Sequence, residues 1–108
     1  MEKVSKKVAI IGAGITGLSS AYFIKKQDPS IEVTIFEASN RVGGKIQTYR
    51  SDGYTIELGP ESYLGRKTIM TDVAKDIGLE NDLITNTTGQ SYIFAKNKLY
   101  PIPGGSIM

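Results

Sequence analysis

The residues best suited to chemistry are Gly12-Ala13-Gly14-Ile15-Thr16-Gly17, which match the pattern G-x-G-x-x-G. In this pattern the first glycine permits a tight turn, the second lets a phosphate approach the backbone, and the third allows a helix to pack closely on a strand. The N–H groups and positive dipole at a helix N-terminus attract phosphates. The six residues therefore predict a pyrophosphate-binding loop, provided that a buried strand precedes them and a helix follows. Without that context they indicate only a glycine-rich turn.

A carboxylate lies where such sites place their ribose-binding acid. Glu37 comes about 20 residues after Gly17, at the end of a predicted strand. Its carboxylate can accept hydrogen bonds from ribose hydroxyls, and its charge repels a 2′-phosphate, which argues against NADP. Without the glycine loop, Glu37 would indicate only a solvated residue at a strand end.

A second glycine cluster, Arg41-Val42-Gly43-Gly44-Lys45, begins four residues after Glu37. Adjacent glycines let the backbone pass close to a cofactor, and the flanking cations can neutralise phosphate charge. An ordinary NAD-binding unit does not require this second cluster.

The elements that position these residues follow from the apolar pattern. A continuous apolar run predicts a first strand at Lys7–Ile11, buried on both faces as in a parallel sheet. Helical spacing follows over 15–26, and Asp28-Pro29 ends it. A second strand is predicted at Glu32–Phe36, so strand, helix and strand form a right-handed βαβ unit with parallel strands.

The remaining pattern predicts two hairpins and a short helix. Strands at 46–50 and 54–58 are joined by Ser51-Asp52-Gly53, in which Asp-Gly supplies the turn geometry, and strands at 91–95 and 98–100 are joined at Lys96-Asn97. A helix is predicted over 70–77, and an irregular exit is predicted from Pro101 through Pro103, Gly104 and Gly105. The predicted fold class is α/β, a Rossmann-type βαβ unit with additional β-hairpins and a short helix.

Composition excludes several classes of function. The 108 residues carry a net charge of +2 and contain no His and no Cys. The charge is too small for a nucleic-acid footprint, and no Ser-His-Asp triad, zinc site of the usual ligands or disulfide can be built. The longest apolar run is far shorter than the roughly 20 residues of a membrane span, and no signal peptide is evident. These features predict a cytoplasmic protein.

Together, the strand and glycine loop over 8–18 and the segment 37–45 resemble the FAD site of the flavin amine oxidase and phytoene desaturase superfamily. Within it, the chain is similar to bacterial protoporphyrinogen/coproporphyrinogen oxidases, most of all to the soluble, oxygen-dependent branch. The narrower similarity lies in the segments 43–48, 53–54, 57–63 and 88–92, and it depends most on Gly59-Pro60 and Thr88-Gly89-Gln90-Ser91.

The resemblance implies four groups of FAD-binding residues. They are Gly12, Ala13, Gly14, Ile15, Thr16 and Gly17 at the pyrophosphate; Glu37 and Ala38 at the adenosine ribose; Arg41, Gly44 and Lys45 beside the phosphates and ribityl chain; and Leu58, Gly59, Pro60 and Glu61 beside the flavin end. For the last group, residue chemistry alone equally favours a strand terminator at Gly59-Pro60. No catalytic acid or base is assigned, although Glu61 and Tyr63 lie near the expected flavin edge.

The resemblance further implies oxidation of coproporphyrinogen III or protoporphyrinogen IX to the porphyrin in haem synthesis, with oxygen as electron acceptor and hydrogen peroxide as product. It implies that residues 1–108 are the N-terminal portion of the FAD-binding domain of a larger two-domain flavoprotein. The substrate domain and the C-terminal FAD segment would then be absent, and this portion alone would self-associate. Peripheral contact with a membrane is also consistent with the resemblance. Two alternatives remain, an amine oxidase or carotenoid desaturase and a non-catalytic flavin-binding module.

Overall fold

A computed structural model of the chain describes residues 5–85 and 89–102. Thr88, which contributes to the narrower resemblance, and residues 103–105 of the predicted irregular exit lie outside the described residues. The chain divides into two compact units, one ending at Leu64 and the other starting at Gly65.

The first unit begins with the predicted βαβ arrangement. Strand β1 spans Lys7–Ile11, helix α1 spans Ile15–Gln27, and strand β2 spans Glu32–Phe36. The two strands pair in parallel, with Lys7 opposite Glu32 and Ile11 opposite Phe36. Lys25 closes the end of α1, since its Nζ donates to Pro29 O at 2.6 Å and to Ile31 O at 3.0 Å. Both strand predictions are confirmed, and α1 extends one residue beyond its predicted end.

One face of this small sheet packs against α1. Val8 and Ile10 are half-buried, while Ile11 on the opposite face is 83% exposed. The sequence predicts a strand buried on both faces, but within the described residues α1 covers only one. A single crossover helix can cover only the face on which it crosses.

The first hairpin follows in the same unit. Strand β3 spans Thr48–Ser51 and pairs antiparallel with β4, Tyr54–Glu57. Asp52 and Gly53 both have positive φ, at 52° and 79°, which is the turn geometry that joins two strands most tightly. The predicted hairpin began and ended further out, at 46 and 58, and Ser51, which was predicted to lie in the turn, is the last residue of β3. The segment before Thr48 belongs instead to a loop, because Ile46 donates its N–H to Gly43 O at 3.1 Å.

The second unit contains the remaining elements. Helix α2 spans Ile69–Asp76, one residue earlier than predicted, and a 3₁₀ turn that the sequence analysis did not predict spans Glu80–Asp82. Strands β5, Tyr92–Ala95, and β6, Lys98–Pro101, form the second hairpin. Pro101 ends β6 rather than starting an irregular segment, which fits the tolerance of proline on edge strands. Among the described residues, no helix is long and apolar enough to cross a membrane.

The turn of the second hairpin provides a stability prediction. Lys96 and Asn97 have φ of 48° and 58°, in the left-handed region. This conformation is energetically unfavourable for a residue that has a Cβ. Asn97→Gly is therefore expected to stabilise the β5–β6 ladder by about 0.5–1 kcal/mol, measured as slower amide hydrogen exchange. Asn97→Val is the matched control and should speed exchange, because a β-branched residue fits this conformation poorly. Equal amide exchange rates in the two variants would contradict the left-handed conformation of Asn97 in this turn.

Candidate functional site

The glycines of the first loop, residues 12–17, meet two different requirements. Gly12 has φ of +96° and donates its N–H to Phe36 O at 2.7 Å, so the turn leaves β1 while remaining bonded to β2. A Cβ at Gly12 would meet nothing within 4 Å, whereas a Cβ at Gly17 would lie 1.9 Å from Gly12 O and 3.3 Å from Ile10 Cγ2. The requirement at Gly12 is therefore conformational and that at Gly17 is steric, as the sequence predicts.

The N-terminus of α1 offers hydrogen-bond donors to an anion. Gly14 is the N-cap, with extended backbone, and no side chain of the described residues caps the helix. The first turn contains no acidic residue. Because the first-turn N–H groups of an α-helix have no acceptor within the helix, this end of α1 suits a phosphate.

Glu37 connects the end of β2 to the first loop. Its Oε2 accepts the Ala13 N–H at 2.7 Å, and its Oε1 accepts the Ser39 N–H at 2.9 Å. Hydrogen bonds from Ser39 and then from Ala13 lower the pKa of the Glu37 carboxyl below its ordinary value. Each carboxylate oxygen has further lone-pair capacity, so Glu37 can accept ribose hydroxyls while it binds the loop.

The second glycine loop, residues 41–47, lies directly beside the first. Gly43 donates its N–H to Ala13 O at 2.8 Å and forms an isolated parallel bridge with Gly14. A Cβ at Gly44 would lie 3.1 Å from Gly14 Cα. Ala13, 1% exposed, thus has both backbone groups bonded and is the single buried residue of the described ranges.

The two cations of the second loop differ in their surroundings. The Arg41 guanidinium donates to acceptors within the loop, the shortest contact being Nη2 to Gly44 O at 2.7 Å. Lys45 is exposed. Both cations therefore lie on the second loop, and the Arg41 side chain forms hydrogen bonds that shape the loop while Lys45 faces solvent.

The segment after β4 reaches the second loop. Leu58 donates its N–H to Gln47 O at 2.8 Å, and a Cβ at Gly59 would lie 2.0 Å from Lys45 O. Gly59 is thus needed for close backbone packing, which neither reading of the sequence anticipated. Pro60 and Glu61 are exposed and follow this contact. The structure brings residues 12–17, 37, 41–47 and 58–59 together.

Sequence reasoning missed Ser39. Its N–H binds Glu37, and its Oγ donates to Arg41 O at 2.8 Å. Turns closed by a side chain that accepts the N–H two residues along are typical of Asp and Asn rather than of Glu. The sequence therefore contained no established signal for Ser39.

The close approach at Gly17 leads to a prediction. Gly17→Ala is expected to lower the free energy of unfolding by about 2 kcal/mol or more, because its Cβ would overlap a backbone oxygen that cannot move alone. Gly65→Ala is the matched control, since a Cβ there meets nothing within 4 Å and should change stability by less than about 0.5 kcal/mol. Chemical denaturation of both variants measures the difference, and equal stability would contradict the packing.

The lowered pKa of Glu37 leads to a second prediction. A carboxyl with a lower pKa in the folded state stabilises the fold above its ordinary pKa of 4.5, and this contribution is lost as pH falls through the folded pKa. Glu37→Gln keeps one acceptor but does not titrate. The stability difference between the parent and Glu37→Gln should therefore shrink as pH falls from about 5 to about 2, as followed by denaturation. A stability difference that stays constant with pH would contradict the hydrogen bonds that Glu37 accepts from Ala13 and Ser39.

Comparison with known proteins places this geometry in a family. The family described as flavin containing amine oxidoreductase matches residues 15–105. Coproporphyrinogen III oxidase of Staphylococcus aureus (strain NCTC 8325 / PS 47) is 85% identical over 105 residues, 97% of this chain and 22% of the relative. Coproporphyrinogen III oxidase of Bacillus subtilis (strain 168) is 49% identical, over 100% of this chain and 24% of the relative.

A solved structure agrees with these relatives. It is a protein from Exiguobacterium sp. 255-15, assigned provisionally as a protoporphyrinogen oxidase, with a TM-score of 0.79 and 46% identity over 98% of this chain and 24% of that one. The chain spans about a quarter of the length of these proteins. The family name itself specifies flavin, so the cofactor predicted from the sequence, FAD, is confirmed for the family. The chain belongs to the flavin containing amine oxidoreductases.

Proposed function

We propose that this chain forms the FAD-binding N-terminal portion of an oxygen-dependent porphyrinogen oxidase. Its substrate would be coproporphyrinogen III and its products the corresponding porphyrin and hydrogen peroxide. The geometric observation that carries the cofactor assignment is the junction of the two glycine loops at Ala13, which is bonded to both Glu37 and Gly43. The substrate assignment is supported by the 85% identity to a coproporphyrinogen III oxidase.

The residues of the junction fit the adenosine and pyrophosphate parts of FAD. The N-terminus of α1 presents backbone donors with no acidic residue in its first turn, and Glu37 retains acceptor capacity for ribose hydroxyls. Residues 12–17 would bind the pyrophosphate, and Glu37 with Ala38 would bind the ribose. The absence of side chains at Gly14 and Gly44 lets their backbones approach closely, so the two loops lie side by side where the cofactor would bind.

The second loop and the segment after β4 would continue the site toward the flavin. Gly44 and Lys45, with Arg41 at the start of the loop, would flank the phosphates and ribityl chain. Leu58, Gly59, Pro60 and Glu61 would lie beside the flavin end. The close packing of Gly59 on Lys45 O supports this continuity, because it fixes the segment after β4 against the second loop.

FAD, when bound, would accept the electrons that are removed from the porphyrinogen. The residues of this chain would bind and orient the cofactor and stabilise its phosphate charge. No residue of the chain is assigned as a proton donor or acceptor for the substrate. In this proposal the chain is one part of a cofactor domain, and the porphyrinogen contacts lie on other parts of the enzyme.

The proposal predicts which nucleotide the full-length protein carries. Heat denaturation should release FAD and no NAD, identified by chromatography of the supernatant. No flavin should remain attached to residues 1–108, because the sequence contains neither the His nor the Cys that could form such a link. Release of NAD alone would contradict the cofactor assignment.

The same protein then tests the substrate. Under air, coproporphyrinogen III should give rising porphyrin fluorescence with hydrogen peroxide formed in parallel, faster than protoporphyrinogen IX gives either. Primary amines and L-amino acids are the control substrates, and peroxide formed from these alone would favour the amine oxidase alternative. FAD release without turnover of any substrate would favour the non-catalytic module.

A further inference from the structure

The Arg41 side chain lies inside the loop that it begins. Nη2 donates to Gly44 O at 2.7 Å and to Gln47 Oε1 at 3.2 Å, while Nη1 donates to Ile46 O at 3.2 Å and to Val42 O at 3.3 Å. These contacts use four of the five N–H groups of a guanidinium. The planar fork is therefore committed to the loop and not available for two-pronged binding of a phosphate.

The guanidinium solves an electrostatic problem of the loop backbone. The carbonyl oxygens of Val42, Gly44 and Ile46 all lie within hydrogen-bond distance of Arg41, so their negative ends converge on one position. Converging carbonyl dipoles repel each other unless a positive group lies between them. An ammonium has only three N–H donors on a flexible stem, so a lysine could not bind all four acceptors as this guanidinium does.

Gly43 makes room for this arrangement. Its φ is +113°, and a Cβ there would lie 2.9 Å from Ile46 O and 3.4 Å from Arg41 Nη1. The same glycine donates its N–H to Ala13 O at 2.8 Å. The loop that Arg41 shapes is thus the loop that bonds to the buried residue of the phosphate-binding turn.

We propose that Arg41 is a positioning residue, whose guanidinium holds residues 42–47 in their binding conformation before the cofactor arrives. The exposed Lys45 then contacts the cofactor phosphates directly, whereas Arg41 flanks them through the loop that it shapes. The inference rests on the proposed FAD site for its role, while the loop contacts themselves are made entirely within this chain.

Hydrogen exchange of the full-length apoprotein tests the positioning directly. The amides of Gly43 and Ile46 should exchange about tenfold faster or more in Arg41→Lys, because the charge remains but the four-acceptor geometry is lost. Gln47→Met removes only one acceptor and should give a smaller increase, which keeps the test valid if the arginine variant folds poorly. Arg50→Lys, on exposed β3, is the matched control and should leave these amides unchanged.

FAD titration of the same apoproteins completes the test. Arg41→Lys should bind FAD about tenfold more weakly, with the parent's salt dependence. Lys45→Ala should lose part of that salt dependence while the Gly43 and Ile46 amides keep the parent's exchange rates. Unchanged exchange in both Arg41→Lys and Gln47→Met would overturn the proposal, whatever the effect on affinity. If even the parent bound no FAD, the proposed function would fail, and faster exchange in the variants would still support the positioning role.

Discussion

The bonding of Ala13 is the constraint on which the rest of the site depends. Its N–H goes to Glu37 at the end of β2, and its carbonyl accepts Gly43 from the second loop. Because a buried backbone group without a partner costs free energy, both bonds must form together for the turn to be stable. One residue of the first glycine loop therefore fixes the positions of the Glu37 carboxylate and of the second glycine loop.

The glycines around this point are not equivalent. Gly12 adopts positive φ with no close neighbour, so glycine is needed there for its backbone conformation, whereas Gly17 and Gly59 leave space for a neighbouring carbonyl oxygen. Gly43 and Gly44 combine both features, with φ of +113° and +60° and close neighbours in Ile46 and Gly14. The same residue type thus serves turning, packing and close approach within one site.

The sequence predicted the parts of the fold that depend on local patterns. The apolar runs located β1 and β2 with their observed bounds, and the Asp52-Gly53 and Lys96-Asn97 turns were confirmed because turn conformation depends on neighbouring residue types. The roles of Arg41 and Ser39 in shaping the loops could not be predicted in the same way. Their hydrogen bonds depend on the direction of carbonyl groups in an irregular backbone. The hydrophobic periodicity of the sequence contains no information about that direction. The packing of Gly59 on Lys45 likewise joins segments whose relative position only the folded hairpin determines.

The bond between Ala13 and Glu37 spans 24 residues, and the first and second loops are joined through the same turn. The entropy of closing such a loop grows only slowly with its length, and α1 already shortens the distance that the chain must search. The contacts that join the two glycine loops, the proposed nucleotide-binding half of the site, therefore close within one continuous stretch, from β1 to the start of β3. A ribosome that has released this stretch has supplied almost every residue needed to assemble it, so this half of the site can be built during synthesis as a local folding event.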